Sequence, residues 1–271
     1  AFVFSVSPAR TSSPTVRIPT CTERDHVPAD KKPSDRRFTS LAGGADTMEL
    51  TAGVHAFPQT ITRDGQDVTI HPAAVETPTG VVLIDVGYPG LTDQVGDNLD
   101  VAGFEWADVA AVLLTHHDGD HAGALAEVVD RTGATVYAHR ECAPYIDGRK
   151  DTVKSPAGQR YDPVPVDVEL VDDVRFRTEA GPMDAVFTPG HTAGHVSLYF
   201  PDAALLLAAD ALTADEAGLA GPSEEFTLEM DEALDSAERL AERDVDRILC
   251  YHGGLVEASG ERIRDVVATM R

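Results

Sequence analysis

From Thr115 to Gly123 the chain reads Thr-His-His-Asp-Gly-Asp-His-Ala-Gly, so six residues beginning at His116 carry five side chains able to bind a metal. Three imidazoles and two carboxylates this close would repel, desolvate and titrate against one another in an ordinary polar turn. Around a divalent cation the same groups are complementary, because neutral imidazole nitrogen and carboxylate oxygen are both donors to such ions. A solvated turn that happens to be rich in histidine is the competing reading, and it leaves the clustering unexplained. The apolar run Val109–Leu114 precedes the segment and reads as a short buried strand, so the loop at its end delivers the cluster.

Other candidate groups follow the same plan. Apolar runs at 81–84, 111–114, 185–187, 204–207 and 245–250 lead into Asp85, His116, His191, Asp210 and His252. Strands that are apolar along their whole length imply a sheet covered on both faces. Groups at the ends of several such strands converge on one rim, which is how α/β scaffolds build sites. His116, His121, His191 and His252 with Asp118, Asp120 and Asp210 make seven donors. Seven are too many for one tetrahedral ion and suit two ions that share a bridge.

Five ordered motifs resemble those of the metallo-β-lactamase superfamily. The loop from His116 to His121 resembles its H-x-H-x-D-H signature, with His116, Asp120 and His121 in register. Asp118 stands where the second His is normal, and His117 falls one residue out of register. Leu83-Ile84-Asp85-Val86-Gly87 resembles the early strand ending in Asp-x-Gly, and Thr188-Pro189-Gly190-His191-Thr192-Ala193-Gly194 resembles the P-G-H-T-x-G element. The strand ending at Asp210 matches the one that carries the bridging carboxylate, and Tyr251-His252-Gly253-Gly254 carries the final His. The resemblance runs from about Met48 to the C-terminus. It implies one domain over 48–271 with a four-layer αββα sandwich. It also implies one ion held by His116, Asp118 and His191, a second by Asp120, His121 and His252, and Asp210 between them. Asp85 would orient a metal-binding imidazole from behind. By their positions beside the ligands, His195 reads as a support for a ligand, a substrate contact or a cap on the strand over 196–200, and His117 as a substrate contact.

Such a site lowers the pKa of a shared water and gives hydroxide near neutral pH, with Asp120 as the residue that orients it. The expected activity is metal-dependent hydrolysis of an ester, thioester, lactone, amide or phosphoester in a small-molecule substrate. A carboxylate at 118 adds a hard, negatively charged donor, which moves preference towards manganese or iron(II) while zinc stays first. Two other readings remain open: an iron-dependent oxygenase or oxidoreductase at the same site, and a metal-binding relative without catalysis.

Composition narrows the partners. Net charge is −24, from 46 acidic and 22 basic residues among 271. Seven basic and five acidic residues lie in the first 47, which leaves fifteen against forty-one, a balance of −26, from Met48 on. Nucleic-acid binding through a basic face is therefore excluded as an expectation. Lys150 and Lys154 are the sole lysines of that larger part. High Asp and Glu with almost no Lys resembles proteins of salt-loving archaea; a merely acidic protein is the alternative. Residues 1–47, rich in Ser, Thr, Pro and Arg, read as a disordered extension, with Met48 as a natural start and a targeting arm as the alternative. No run reaches the roughly 20 apolar residues needed to span a bilayer, so a cytoplasmic location is the default expectation. Cys21, Cys142 and Cys250 contain no C-x-x-C pair and suggest neither a disulfide framework nor a sulfur metal site.

Periodicity predicts strands through 48–85, helices over 91–102 and 123–132, a strand over 135–138 and a helical turn over 140–146. Strands return over 166–200, followed by helices over 228–242 and 261–270. The segment 150–165 has little periodicity and reads either as a lid or substrate-facing loop or as a plain linker. His55 and His71 are expected to be ordinary surface or core polar groups. His139 is expected to be structural although close to the rim.

Overall fold

The computed structural model describes residues 47–63, 65–154 and 161–271. The extension expected over 1–47 lies, apart from Thr47, outside the described residues. In chain order the elements begin with β1 (Met48–Thr51), β2 (Val54–Ala56), the hairpin β3 (Gln59–Arg63) and β4 (Gln66–Ile70), β5 (Ala73–Thr77) and β6 (Gly80–Ile84). Then come α1 (Thr92–Ala102), β7 (Val109–Leu114), α2 (Gly119–Ala122), α3 (Leu125–Thr132), β8 (Thr135–His139), α4 (Ala143–Ile146) and β9 (Val168–Leu170). The second half holds β10 (Val174–Thr178), β11 (Gly181–Phe187), β12 (Val196–Phe200), β13 (Leu205–Ala209), β14 (Thr213–Asp215) and β15 (Gly218–Ala220). It ends with α5 (Met230–Leu240), β16 (Arg247–Cys250), β17 (Gly254–Glu257) and α6 (Gly260–Met270).

Two sheets carry the fold, in the orders β1-β2-β5-β6-β7-β8-β9 and β10-β11-β12-β13-β16-β17. Three separate apolar clusters show how they are layered. Leu50, Val75, Ile84, Leu113, Met183, Leu198 and Phe200 fill the space between the sheets. Val95 and Leu99 of α1 and Leu125 and Val128 of α3 pack on the outer face of the first sheet. Leu234, Ala237 and Leu240 of α5 and Ile263 and Val267 of α6 cover the outer face of the second. The order is helix, sheet, sheet, helix, the four-layer αββα sandwich expected. Both sheets are buried on both faces at their centres, which is why β7 and β13 are apolar at successive positions instead of alternating.

Parallel pairing sets the position of the site. β6, β7, β8 and β9 pair parallel with one another in that order, and β13 pairs parallel with β16. The C-terminal ends of β6, β7, β13 and β16 therefore lie at one edge of the sandwich, and the loops that leave them carry the candidate donors.

The helix expected over 123–132 is α3, which starts at Leu125, and a separate short helix not expected from the sequence, α2, lies before it inside the ligand loop. The Ala124 N–H donates to Gly87 O at 3.1 Å and so leaves the helical ladder, while Val86 N–H donates to His121 O at 2.8 Å. These two bonds tie the loop to the end of β6 and break the helix. A Cβ at Gly123 would lie 2.2 Å from Gly119 O and 2.3 Å from Pro89 Cδ, so no larger residue fits the break. The other helices match to within a few residues, with the turn expected over 140–146 confined to α4.

Candidate metal centre

His116, Asp118, Asp120 and His121 leave the end of β7 on one loop, with α2 setting Asp120 and His121 on its first turn. His191 lies on the β11–β12 loop. That loop is clamped by α5, since Ser236 Oγ donates to Pro189 O at 2.7 Å. Gly190 has φ +127, and a Cβ there would stand 2.2 Å from the Ala233 nitrogen, so only glycine admits the helix this close. Asp210 follows β13 directly after Ala209, whose φ of +48 is a left-handed conformation, and the pairing of β13 with β16 shifts register at the same point. This local strain turns the Asp210 carboxylate into the site. His252 follows β16.

The donor atoms form two adjoining groups: His116, Asp118, His191 and Asp210, and beside them Asp120, His121 and His252, with the donor atoms in each group all within 4.8 Å of one another. In the first, Asp118 Oδ2 is 3.3 Å from His116 Nε2 and 3.1 Å from His191 Nε2, and Asp210 Oδ2 is 3.1 Å from His191 Nε2. In the second, His252 Nε2 is 3.2 Å from Asp120 Oδ2, and His121 Nε2 is 3.9 Å from the same oxygen. Donors about 2.1 Å from a tetrahedral ion stand about 3.4 Å from one another, so these spacings suit divalent ions. Asp210 faces both groups: Oδ2 towards His116, His191 and His252, and Oδ1 towards His121 at 3.5 Å.

Buried atoms without hydrogen-bond partners supply the test of fit. His116 Nε2, His121 Nε2 and Asp210 Oδ1 are such atoms, and these are the atoms that point between the donors. Leaving buried polar atoms unpaired costs about 1–3 kcal/mol each, and cations at both groups would satisfy them. The electrostatics agree. Burial opposes charge on Asp118, yet His116, His191 and Lys154 hold its carboxyl well below the usual range. Burial likewise opposes charge on Asp210, which His121 and His191 hold low. His121 is pushed well above its ordinary value because Asp210, Asp85 and Asp120 outweigh its burial. The site concentrates negative charge of the kind that divalent cations balance.

Behind the donors, Asp85 accepts three hydrogen bonds. Its Oδ1 accepts from Thr115 N–H at 2.8 Å, and its Oδ2 accepts from Thr115 Oγ1 at 2.7 Å and from His121 Nδ1 at 2.8 Å. This fixes the His121 tautomer with Nε2 free for the ion. His195 sits behind Asp210. Its Nδ1 lies 2.8 Å from Thr188 Oγ1, its Nε2 accepts from Asp210 N–H at 3.1 Å, and burial lowers its pKa to about 3. It therefore positions the Asp210 carboxylate. His117 is 1 % exposed, stacks flat on Tyr145 at 4.1 Å and has no partner for either ring nitrogen. The structure thus sets it under the loop and not on an open substrate face. His139 pairs with Asp172 and stacks on Phe187, a structural role as expected, and His55 pairs with Glu76. His71 is closer to the site than its sequence position suggests, with Nδ1 3.1 Å from Tyr251 O.

Three contributors were not singled out from sequence. Thr115 joins Asp85 to the loop. Tyr251 stacks on His121 at 3.6 Å and its hydroxyl donates to Asp120 O. Lys154 reaches the first group, with Nζ 2.5 Å from Asp118 Oδ2 and 2.7 Å from His191 Nε2. The scarcity of lysine was visible in the sequence, but its placement was not. A cavity of about 590 Å³ opens beside His252, lined by Leu219, Phe226, Arg262, Val266 and Met270 among others.

Known proteins place this geometry. The family model described as Metallo-beta-lactamase superfamily matches residues 71–252, a span that holds every donor named above. The chain belongs to the metallo-beta-lactamase superfamily. Within it, the chain is 28% identical over 258 residues to "Probable metallo-hydrolase YflN" of Bacillus subtilis (strain 168), covering 84% of this chain and 92% of that one. It is 37% identical over 103 residues to a hydroxyacylglutathione hydrolase of Rhizobium meliloti (strain 1021), a match limited to 38% of this chain and 34% of the relative. The solved metallo-beta-lactamase family protein TTHA1429 of Thermus thermophilus shares the fold, with a TM-score of 0.65 at 22% identity over 82% of this chain and 80% of that one. Among the described residues, no helix of this superfamily member is long and apolar enough to cross a membrane.

Proposed function

We propose that the protein is a metal-dependent hydrolase that cleaves an ester, thioester, lactone or related bond in a small molecule at a dinuclear site. The observation that carries this reading is the pair of adjoining donor groups with Asp210 facing both and buried donor atoms left unpaired between them. His116, Asp118 and His191 would hold one ion, Asp120, His121 and His252 the other, and Asp210 would bridge them. When bound, two divalent ions, zinc first and manganese or iron next, supply Lewis acidity and bring the pKa of water towards neutrality.

The chain's own residues orient the reaction. Asp120 is the proposed catalytic residue: its carboxylate sits against His252, which lines the cavity, and one of its oxygens can ligate while the other directs a water. Asp85 and Thr115 hold His121, and His195 holds Asp210, so the donors keep their geometry without reorganisation. The mostly apolar cavity beside His252 suits the body of a small-molecule substrate. The name of one relative, a probable metallo-hydrolase, supports hydrolysis, and that of another, a hydroxyacylglutathione hydrolase, supports acyl cleavage.

The test is a panel of chromogenic esters, thioesters and lactones, assayed before and after chelation. We expect hydrolysis to vanish on complete metal removal, verified by elemental analysis, and to return with zinc or manganese. Hydrolysis that persists without metal rejects the reading. A second reading has one observation in its favour. His116, His191 and Asp118 form a two-histidine, one-carboxylate set of the kind that suits iron(II) in oxygenases. Oxygen consumption by the iron-loaded protein, with no hydrolysis of the panel, would select it.

A further inference from the structure

In a domain with two lysines, one of them lies against the donors of the first metal group. Lys154 Nζ is 2.5 Å from Asp118 Oδ2 and 2.7 Å from His191 Nε2, and its side chain is 19 % exposed. Lysine has three N–H donors and no acceptor, so Nζ donates to both atoms. An imidazole nitrogen that accepts has a single lone pair. The Nε2 lone pair of His191 can hold the Lys154 N–H or an ion, but not both. Asp118 Oδ2 is less restrictive, because a carboxylate oxygen offers more than one lone pair. Lys154 also returns the charge that Asp118 adds in place of a neutral imidazole.

We propose that Lys154 is a positioning residue of the first metal group, whose ammonium competes with the ion for His191 and anchors Asp118, making this the weaker and more exchangeable of the two metal positions. The second group has no such competitor among the described residues. Its donors Asp120 and His252 face each other, and His121 is held by Asp85. The inference rests on the dinuclear reading above.

The experiment is stepwise zinc titration of chelator-stripped protein against a chromophoric competitor, with cobalt(II) absorption spectra as a second readout of donor geometry. Wild type is expected to take up two ions, the first group binding at least about tenfold more weakly than the second. Charge-assisted hydrogen bonds have strengths that correspond to about 10- to 100-fold in affinity. Lys154→Met should tighten the weaker step by that factor and leave the tighter step unchanged. Lys154→Arg should keep the weak step, because the cation is retained, and Lys154→Gln replaces Lys154→Met if the latter fails to fold.

Wild type that holds one ion, with Lys154→Met holding two, supports the proposal. Two ions in wild type with both steps unchanged or weakened in Lys154→Met overturns it and leaves the dinuclear reading intact. No uptake by either protein overturns both.

Discussion

Asp85→Asn isolates the role of one buried charge. Asp85 is 2 % exposed and takes φ +59, a left-handed conformation that asparagine tolerates as well as aspartate, so the backbone should not change. The native carboxylate accepts three hydrogen bonds, from Thr115 N–H, Thr115 Oγ1 and His121 Nδ1. An amide in the same place keeps one oxygen, which remains with Thr115 N–H. Its NH2 then faces Thr115 Oγ1, which can rotate to accept, and His121 Nδ1, which cannot accept while it carries a proton. His121 must move its proton to Nε2, the atom that faces the ion.

Losing the orienting contact to a metal-binding histidine typically lowers metal affinity 10- to 100-fold, about 1.4–2.7 kcal/mol. The loss should fall on the second group alone. The metal-free protein should lose about 1.5–3 kcal/mol, the strength of a hydrogen bond to a charged group. Competition titration reads the first quantity and chemical denaturation of the stripped protein the second. A variant with unchanged affinity at the second group would refute the reasoning, since His121 would then be oriented by something other than Asp85.

Asp118→Ala should lower metal content towards one ion per chain and remove most hydrolysis, while Asp118→His should keep two ions and shift preference towards zinc; elemental analysis checks both. Burial lowers the pKa of His117 to about 4, so the unfolded chain takes up its proton near pH 6.5 while the folded chain does not. Stability is therefore lost as pH falls from about 6.5 towards 4, and His117→Phe, which keeps the stack on Tyr145, should be more stable than wild type by about 2 kcal/mol more at pH 5 than at pH 7.5. Equal pH profiles in denaturation would reject this. With 46 acidic against 22 basic residues, melting temperature should rise from 0.1 M to 1 M potassium chloride, over which the Debye length shrinks from about 10 Å to about 3 Å. A flat or falling trend would reject salt adaptation.

The sequence determined the strand-end donors and the layered fold. Runs that are apolar at every position can only be central strands or buried helices, and those at 81–84, 111–114, 185–187, 204–207 and 245–250 each lead within a few residues to a His or Asp, so the elements and the ligand loop were legible together. His116, Asp118, Asp120, His121, His191, Asp210 and His252 were all named from pattern, and all converge. Sequence could not give the break between α2 and α3, because it depends on Ala124 N–H and Val86 N–H finding partners across the β6 end. Nor could it give Lys154. Spacing along the chain predicts contacts only within a helix or strand, and Lys154 stands 36 residues from Asp118 on a segment with no periodicity. The same holds for His195, whose neighbour four residues earlier is a donor. It turns the other way because Thr188 and the Asp210 N–H lie just past the ends of β11 and β13, which the second sheet sets on either side of β12. Residue types and strand ends set which atoms could bind an ion; the packing of two sheets set which atoms oppose one another across it.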